Sequence, residues 1–299
     1  MNKIINKVDN SKHIVVVADA SVDSISSASA FYTYLLTLHK KVSFFCISSE
    51  IDNRLSFIPW FEKIRYTFAS SSDLVIGFGS LKKEEIGVEC DYINIDIANK
   101  NFISLAESIY NLFKNNGIKM NKKIATSLYA GILDCSKGFL DDRVDGTFFA
   151  VVQELIDLGA DTKVCNRYIM NHMSLAAFRL KAKMQIDMKL ELDAKVALFV
   201  VSDNDLLSSG ATENDCEKVI LESLFLPTVN IALLLREHND LSVSVLLKSD
   251  GELDVLKIAS LFNGVGNSKI ARFDFINKNH LKEEKIKLIY KEIEFESKK

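Results

Sequence analysis

Four aspartates, Asp19, Asp23, Asp96 and Asp134, fall where strand-like or helix-like runs of this 299-residue chain begin or end. Carboxylate oxygens suit a hard divalent cation, and such a set can form an oxygen-only magnesium site that keeps several bound waters. Aspartate in these places also caps helices or sits solvated in loops, which is its commoner use. A second group, Asp141, Asp142 and Asp145, precedes a helical pattern, where negative charge is favourable; it could also supply replacement ligands. The stretch GVGNSK is too short and wrongly spaced for a Walker loop. Its Gly264, Gly266 and Asn267 can still offer backbone amides to an anion, with Lys269 adding charge; the plainer reading is a turn between helix and strand. Cys135 has no histidine near it in sequence and reads as small apolar filler, not as a nucleophile.

Composition narrows the classes. The chain is 48% hydrophobic and 26% charged, close to the globular average, which argues against wholesale disorder. A formal net charge of -3 gives no broad cationic field for holding a long polynucleotide, although a local basic groove is compatible with it. The cysteines, Cys46, Cys90, Cys135, Cys165 and Cys216, are odd in number, scattered and without a C-x-x-C pair. Reduced thiols in a cytoplasm are expected, not a disulfide framework or structural zinc. The polar start lacks the pattern of a secretory signal, and no run approaches the roughly 18 apolar residues of a membrane span. A cytoplasmic protein with no membrane partner is the expectation.

The elements that must position these residues are legible as pattern. HIVVVAD, KVSFFCI, DLVIGFG and YINID alternate with longer amphipathic stretches such as ASAFYTYLLTLHK, which predicts a mostly parallel sheet flanked by helices. Parallel sheets gather ligands at the carboxyl ends of their strands. Three helices follow, in SLAESIYNLFKNNG, KKIATSLYAGILD and VDGTFFAVVQELIDLGAD, the first and third closing at Gly117 and Gly159. LAAFRLKAKMQIDMKLEL has few helix breakers and predicts a linker helix over 171–192. A smaller mixed domain follows it, with strands in VALFVVSD, NIALLLRE, SVSVLLKS and KIARFDFI and helices in ENDCEKVILESLF and LDVLKIASLF. The tail KIKLIYKEIEFE alternates enough to predict an edge strand. The expected organisation is α/β: a parallel-sheet domain over 1–170, the linker helix, and a mixed α/β domain over 193–299.

The wording of several stretches resembles the DHH phosphoesterases, in the branch holding oligoribonucleases, phosphoadenosine-phosphate phosphatases and cyclic-dinucleotide phosphodiesterases. The resemblance covers nearly the whole chain. It is carried by LYAGILD with Gly138-Phe139 after it, ELIDLGAD, NIALLLRE and LLKSDGELDVLKIASLF. The family's first strand ends in His-x-x-Pro-Asp-Gly-Asp-Ala-x-Gly-Ser, whose histidine and carboxylates grip manganese. In VADASVDSISSA, Val17 stands at the histidine and Ser21 at the first aspartate, while Asp23 and Ser27 keep the pattern. Gly79 replaces the bridging aspartate after the second motif strand. In INIDIANKN, Asp96 keeps the aspartate of the family's name, Ile97 and Ala98 replace both histidines, and Asn101 fits the asparagine after them. Cys135 aligns with the fourth metal aspartate and Asp134 lies one residue early. Gly264 and Gly266 match the phosphate-holding Gly-Gly-Gly-His turn, with Asn267 for its histidine; Lys248 stands where an arginine is usual. His13, His39, His172, His238 and His280 match none of the family's catalytic positions.

Two-metal hydrolysis needs several oxygen and nitrogen ligands to hold the ions about 4 Å apart. Valine, glycine, isoleucine and alanine donate none. What the resemblance implies is therefore a degenerate phosphoesterase homologue, without dimanganese hydrolysis, that holds a nucleotide or short oligonucleotide in the family's interdomain cleft, with a homodimer as a further expectation. Its phosphate contacts would be Gly264, Gly266, Asn267, Lys269 and Lys248. Two alternatives stand beside it. One is an active enzyme with manganese or magnesium on a rebuilt site of Asp19, Asp23, Asp96 and Asp134, in which Asp96 is catalytic. The other is a structural or partner-binding protein.

Overall fold

A computed structural model describes residues 2–69, 71–87, 89–97, 102–277 and 281–296. Ala98, Asn101 and His280, which entered the sequence reading, lie outside these. The chain divides into two compact units, Met1–His172 and Met173–Lys299. No helix among the described residues is long and apolar enough to cross a membrane.

The first unit runs α1 (Asn2–Asn10), β1 (His13–Ala18), α2 (Val22–Thr37), β2 (Lys41–Cys46), β3 (Ile64–Arg65), β4 (Leu74–Phe78), α3 (Lys83–Ile86) and β5 (Asp91–Ile95). It continues with α4 (Leu105–Asn115), α5 (Lys122–Cys135), α6 (Gly146–Asp157) and α7 (Thr162–Cys165). Its five strands lie in the order β3-β2-β1-β4-β5, all parallel. From Ile14 to Ala18 every residue of β1 is buried, because a central parallel strand is covered on both faces. Ile14 and Val16 pack into the main core, whereas Val15 and Val17 meet Val75 and Leu81 on the other face. The chain first builds β2 and β3 on one side of β1, then crosses to build β4 and β5 on the other. The strand order therefore reverses at β1 and β4, and the crevice outside their carboxyl ends is where open parallel sheets take ligands.

Helices α2, α4 and α5 meet closely above one face of that sheet. Small residues of α2, among them Ser26, Ser27, Ala28 and Ala30, are fully buried and let the axes approach. Gly131 of α5 sits at the tightest point: a Cβ there would lie 2.8 Å from the Ala106 Cβ and 2.8 Å from an Asp23 carboxylate oxygen. The N-terminal stretch, expected only as a polar start, is helix α1. Its Val8 is fully buried, with Ile4 and Ile5 packed against the same core.

The second unit holds α8 (Leu175–Asp187), β6 (Lys189–Glu191), β7 (Val196–Ser202), α9 (Asp203–Ser209), α10 (Glu213–Ser223), β8 (Ile231–Glu237) and β9 (Ser242–Ser249). After these come α11 (Val255–Ser260), β10 (Val265–Gly266), β11 (Ile270–Ile276) and α12 (Leu281–Glu296). The helix found in the expected linker, α8, buries Leu180 and Met184 against Phe199 and Val201 of β7, inside this unit. The mixed sheet has the order β10-β11-β9-β8-β7-β6, with only β7 and β8 parallel. One face, with Val245, Leu247, Ala271 and Phe273, packs on α11 and α12; the other carries Phe199, Leu234 and Leu246 beneath α8 and α10.

The tail expected as an edge strand is helical. Strand alternation pairs Ile286 with Leu288 and Tyr290, but the residues that pack are Ile286, Ile289, Tyr290 and Ile293, at helical spacing, while Leu288 is exposed. Good helix formers fill the intervening positions, so propensity and burial agree. Replacing Ile289 by alanine should cost about 2 to 4 kcal/mol in urea unfolding, whereas Leu288→Ala should stay within about 0.5 kcal/mol. Equal costs at the two positions would contradict the helical docking.

Candidate functional site

The crevice at the ends of β1 and β4 is held together by hydroxyl and carboxylate contacts. Asp19 follows β1 directly and its Oδ1 accepts from the Ser21 amide at 2.8 Å. Ser24 bridges the two strands: its Oγ donates to the Phe78 carbonyl at 2.8 Å and accepts from the Asp19 amide at 3.1 Å. Gly79 follows β4 with φ +93°, a conformation that favours glycine. A Cβ there would lie 3.4 Å from Asp19 Oδ2. Beyond β5, Asp96 is exposed; its Oδ1 accepts from the Ile97 amide at 2.8 Å and its Oδ2 from Ser80 Oγ at 3.4 Å. Parallel strands place Asp19, Gly79 and Asp96 along one sheet edge.

Asp23 does something else. Its Oδ2 accepts from the Leu105 amide at 2.6 Å and its Oδ1 from the Ala106 amide at 2.9 Å, so both oxygens cap the first turn of α4. Burial pushes its carboxyl from the ordinary 3.8 up to about 6, against the amide hydrogen bonds and the Cys135 thiol, which favour the charged form. Nearby Asp134 adds a smaller upward push. Cys135 is held protonated, its thiol raised far above the usual range by burial and by the adjacent Asp23, so a thiolate nucleophile is excluded at neutral pH.

The metal group that the family resemblance implies can be tested on these positions. Val17, at the histidine position, is fully buried in the apolar cluster of Val15, Val75 and Leu81. Gly79 carries no side chain, and Ile97 exposes an aliphatic one. Asp23 points both oxygens at backbone amides. Among the described residues, no three or more His, Cys, Asp or Glu side chains are grouped to hold a metal ion. The described residues at these positions do not supply the ligand set of a dimetal centre.

In the second unit the glycine turn is closed on itself. The Gly264 amide donates to the Ala259 carbonyl at 2.9 Å and the Asn267 amide to the Ile270 carbonyl at 2.7 Å. Asn267 Oδ1 accepts from the Lys269 and Ile270 amides at 2.9 and 3.0 Å. Gly264 has no room for a Cβ beside the Arg272 carbonyl, and Gly266 would place one against Ile270. The Asn267 amide thus closes the tight β10–β11 hairpin, whereas the Gly264 amide turns back to the end of α11, and both glycines allow this segment to lie close to β11. Lys248 lies on β9, opposite Ile270, with only 8% exposure. Its ammonium is 3.3 Å from Glu217.

Sequence reading missed the charged residues around Lys248. Arg236 of β8 is 5% exposed, donates to the Val201 carbonyl at 2.8 Å, and pairs with Asp203 at 2.9 Å. Arg272 of β11 pairs with Glu217 at 2.6 Å. The available signal was a cation near the end of an otherwise apolar strand in NIALLLRE, since a buried charge demands a partner.

Asp23 also gives the unit a pH signature. With a folded pKa above the unfolded value, the folded state holds more protons between pH 4 and 6. The group's contribution is complete below the unfolded pKa and is lost as pH rises through about 6. Its slope should approach about 1.4 kcal/mol per pH unit inside that window, with stability falling as pH rises. In Asp23→Asn this component should vanish from the pH profile of urea unfolding; an unchanged profile would mean that folding does not raise the Asp23 pKa.

No protein-family model matches the sequence, and no curated protein matches it. Among solved structures, an exopolyphosphatase-related protein from Bacteroides fragilis aligns over 98% of this chain and 95% of its own, with a TM-score of 0.80 at 20% identity. RecJ from Thermus thermophilus, solved in complex with manganese, aligns over 96% of this chain and 53% of its own, at TM-score 0.51 and 10% identity. At these identities the likeness is one of fold. The chain carries the two-domain α/β fold of the DHH phosphoesterases, whose motifs its sequence resembles.

Proposed function

We propose that this chain is a DHH-fold phosphoesterase homologue without dimanganese hydrolysis that binds a nucleotide or the end of a short oligonucleotide. The observation that carries the reading is the use made of the motif positions. Val17 fills an apolar cluster where an imidazole would be needed, and Asp23 caps α4 with both carboxylate oxygens. Phosphate is the ligand class suggested by the exopolyphosphatase-related structure of the same fold. In the second unit, Lys248 and Arg272 supply positive charge on the sheet, whereas the Gly264 amide is taken by the Ala259 carbonyl and the Asn267 amide by the Ile270 carbonyl.

The rebuilt-site reading rests on Asp19 and Asp96, which flank Gly79 along one edge and retain solvent access. Incubation with manganese or magnesium and a linear dinucleotide, a cyclic dinucleotide or phosphoadenosine phosphate separates the two. The expected result is no turnover above background. Multiple turnovers abolished by Asp96→Ala and Asp19→Ala would establish the rebuilt site instead. Adenosine monophosphate at about 100 times its dissociation constant should add about 2.7 kcal/mol to stability, read as a rise in Tm. Absence of any rise at millimolar nucleotide would favour a structural or partner-binding role.

A further inference from the structure

Outside the family motifs, the second unit brings a serine, a histidine and an aspartate into one row. His238, just past the end of β8, places its Nε2 3.0 Å from Ser244 Oγ. Its Nδ1 lies 3.3 Å from Oδ1 of Asp203, the first residue of α9. Asp203 accepts from the Asn239 amide and from Arg236, both at 2.9 Å, and these hold its carboxyl below the ordinary range. An ionised Asp203 favours the imidazole tautomer with its proton on Nδ1, which leaves Nε2 as acceptor for the Ser244 hydroxyl. Cross-strand register fixes the row. Ser244 stands opposite Arg236 of β8 on one side and Asp274 of β11 on the other, and residues directly opposite share a face. Ser244 is half-buried and lines a cavity of about 240 Å³ with Arg236, Arg272, Glu213, Glu217 and Asp274. Three carboxylates face two guanidinium groups there, so an anionic acyl group is disfavoured. Arg236 donates from Nη1 to the Val201 carbonyl and from Nη2 to Asp203, whereas its Nε is buried and has no hydrogen-bond partner among the described residues. A buried donor in that state is costly until an acceptor reaches it.

We propose that Ser244, His238 and Asp203 form a nucleophilic centre that hydrolyses small carboxylic esters with a neutral or cationic acyl group, an activity separate from phosphate binding. Such a centre is recognised by geometry and role, whatever the order of its residues in the chain. Ser244 Oγ attacks the carbonyl carbon while His238 Nε2 takes its proton. The bond from that carbon to the alcohol oxygen then breaks, and the imidazolium returns the proton to the departing alcohol. Water attacks the acyl-serine in the same way, which releases the acid and restores Ser244. Asp203 is a positioning residue that holds the imidazole and balances its charge. Arg236 Nε is the donor that meets the carbonyl oxygen as it becomes negative.

The full chain is tested with p-nitrophenyl acetate, and with a fluorophosphonate whose adduct is located by peptide mass spectrometry. Wild type should turn over the ester in repeated cycles and carry the adduct on Ser244. Ser244→Ala should lose both, and His238→Gln should slow turnover at least about a hundredfold. Asp203→Asn should lower kcat with KM held, a split that a merely structural role would not give. Ser242→Ala, whose hydroxyl bonds Asp240 instead, should leave turnover unchanged. Melting of each variant checks that it is folded. No adduct on wild-type Ser244, or labelling and turnover that survive His238→Gln, would overturn the assignment. Nucleotide binding does not depend on either outcome.

Discussion

The carboxylate of Asp23 holds the start of α4, and the geometry of the first unit depends on that contact. The first amides of a helix have no partner within it. Here Leu105 and Ala106 donate to Asp23, Glu107 donates to Ser104 Oγ, and the Glu107 side chain reaches back to the Ile103 amide. A helix start packed against α2 and α5 is thereby satisfied without water. The arrangement carries a cost, visible in the carboxyl pushed up to about 6. The helix dipole and two short hydrogen bonds offset part of it. Gly131 makes the arrangement possible, since any side chain there would collide with Ala106 and with the carboxylate itself.

The second unit solves the opposite problem. One face of its sheet is apolar and covered; the other begins apolar beneath α8 and α10 and becomes ionic toward β9 and β11. Arg236 and Lys248 are among the least exposed charged residues, and each is matched by carboxylates from the helical layer above. Leaving one of these charges buried without its partner would be costly, so each cation is tied to a carboxylate of α9 or α10.

Most of the architecture was legible because burial writes a period into the chain. The unbroken apolar run at 14–18 announced a parallel central strand, and Gly117 and Gly159 announced helix ends. The tail was misread because Ile286, Leu288 and Tyr290 alternate as well as any strand does. Only the packing of Ile289 and Ile293 on the second core decides for the helix. The site was legible in residue type but not in use. Asp23 as a carboxylate is plain from the sequence; that both its oxygens face amides some 80 positions later is a fact of tertiary contact. Likewise Gly264, Gly266 and Asn267 read equally well as an anion nest or as a hairpin, and the register of β10 on β11 chooses the hairpin.

The same contrast explains how little the fold demands of side-chain chemistry at the ends of its parallel strands. Ligand positions lie at strand ends, where Gly79 needs only its positive φ and Ile97 projects into solvent, so the backbone there makes little demand on side-chain chemistry. Val17 goes further, because a valine facing Val75 and Leu81 adds apolar burial that an imidazole would not. Asp23 is different: it answers to α4 whether or not a cation is present, and its loss would unsatisfy two buried amides. Structural demand thus accounts for the Asp23 carboxylate through helix capping alone. A family signature that survives at such a position reports helix capping first, and chemistry only where its oxygens remain free.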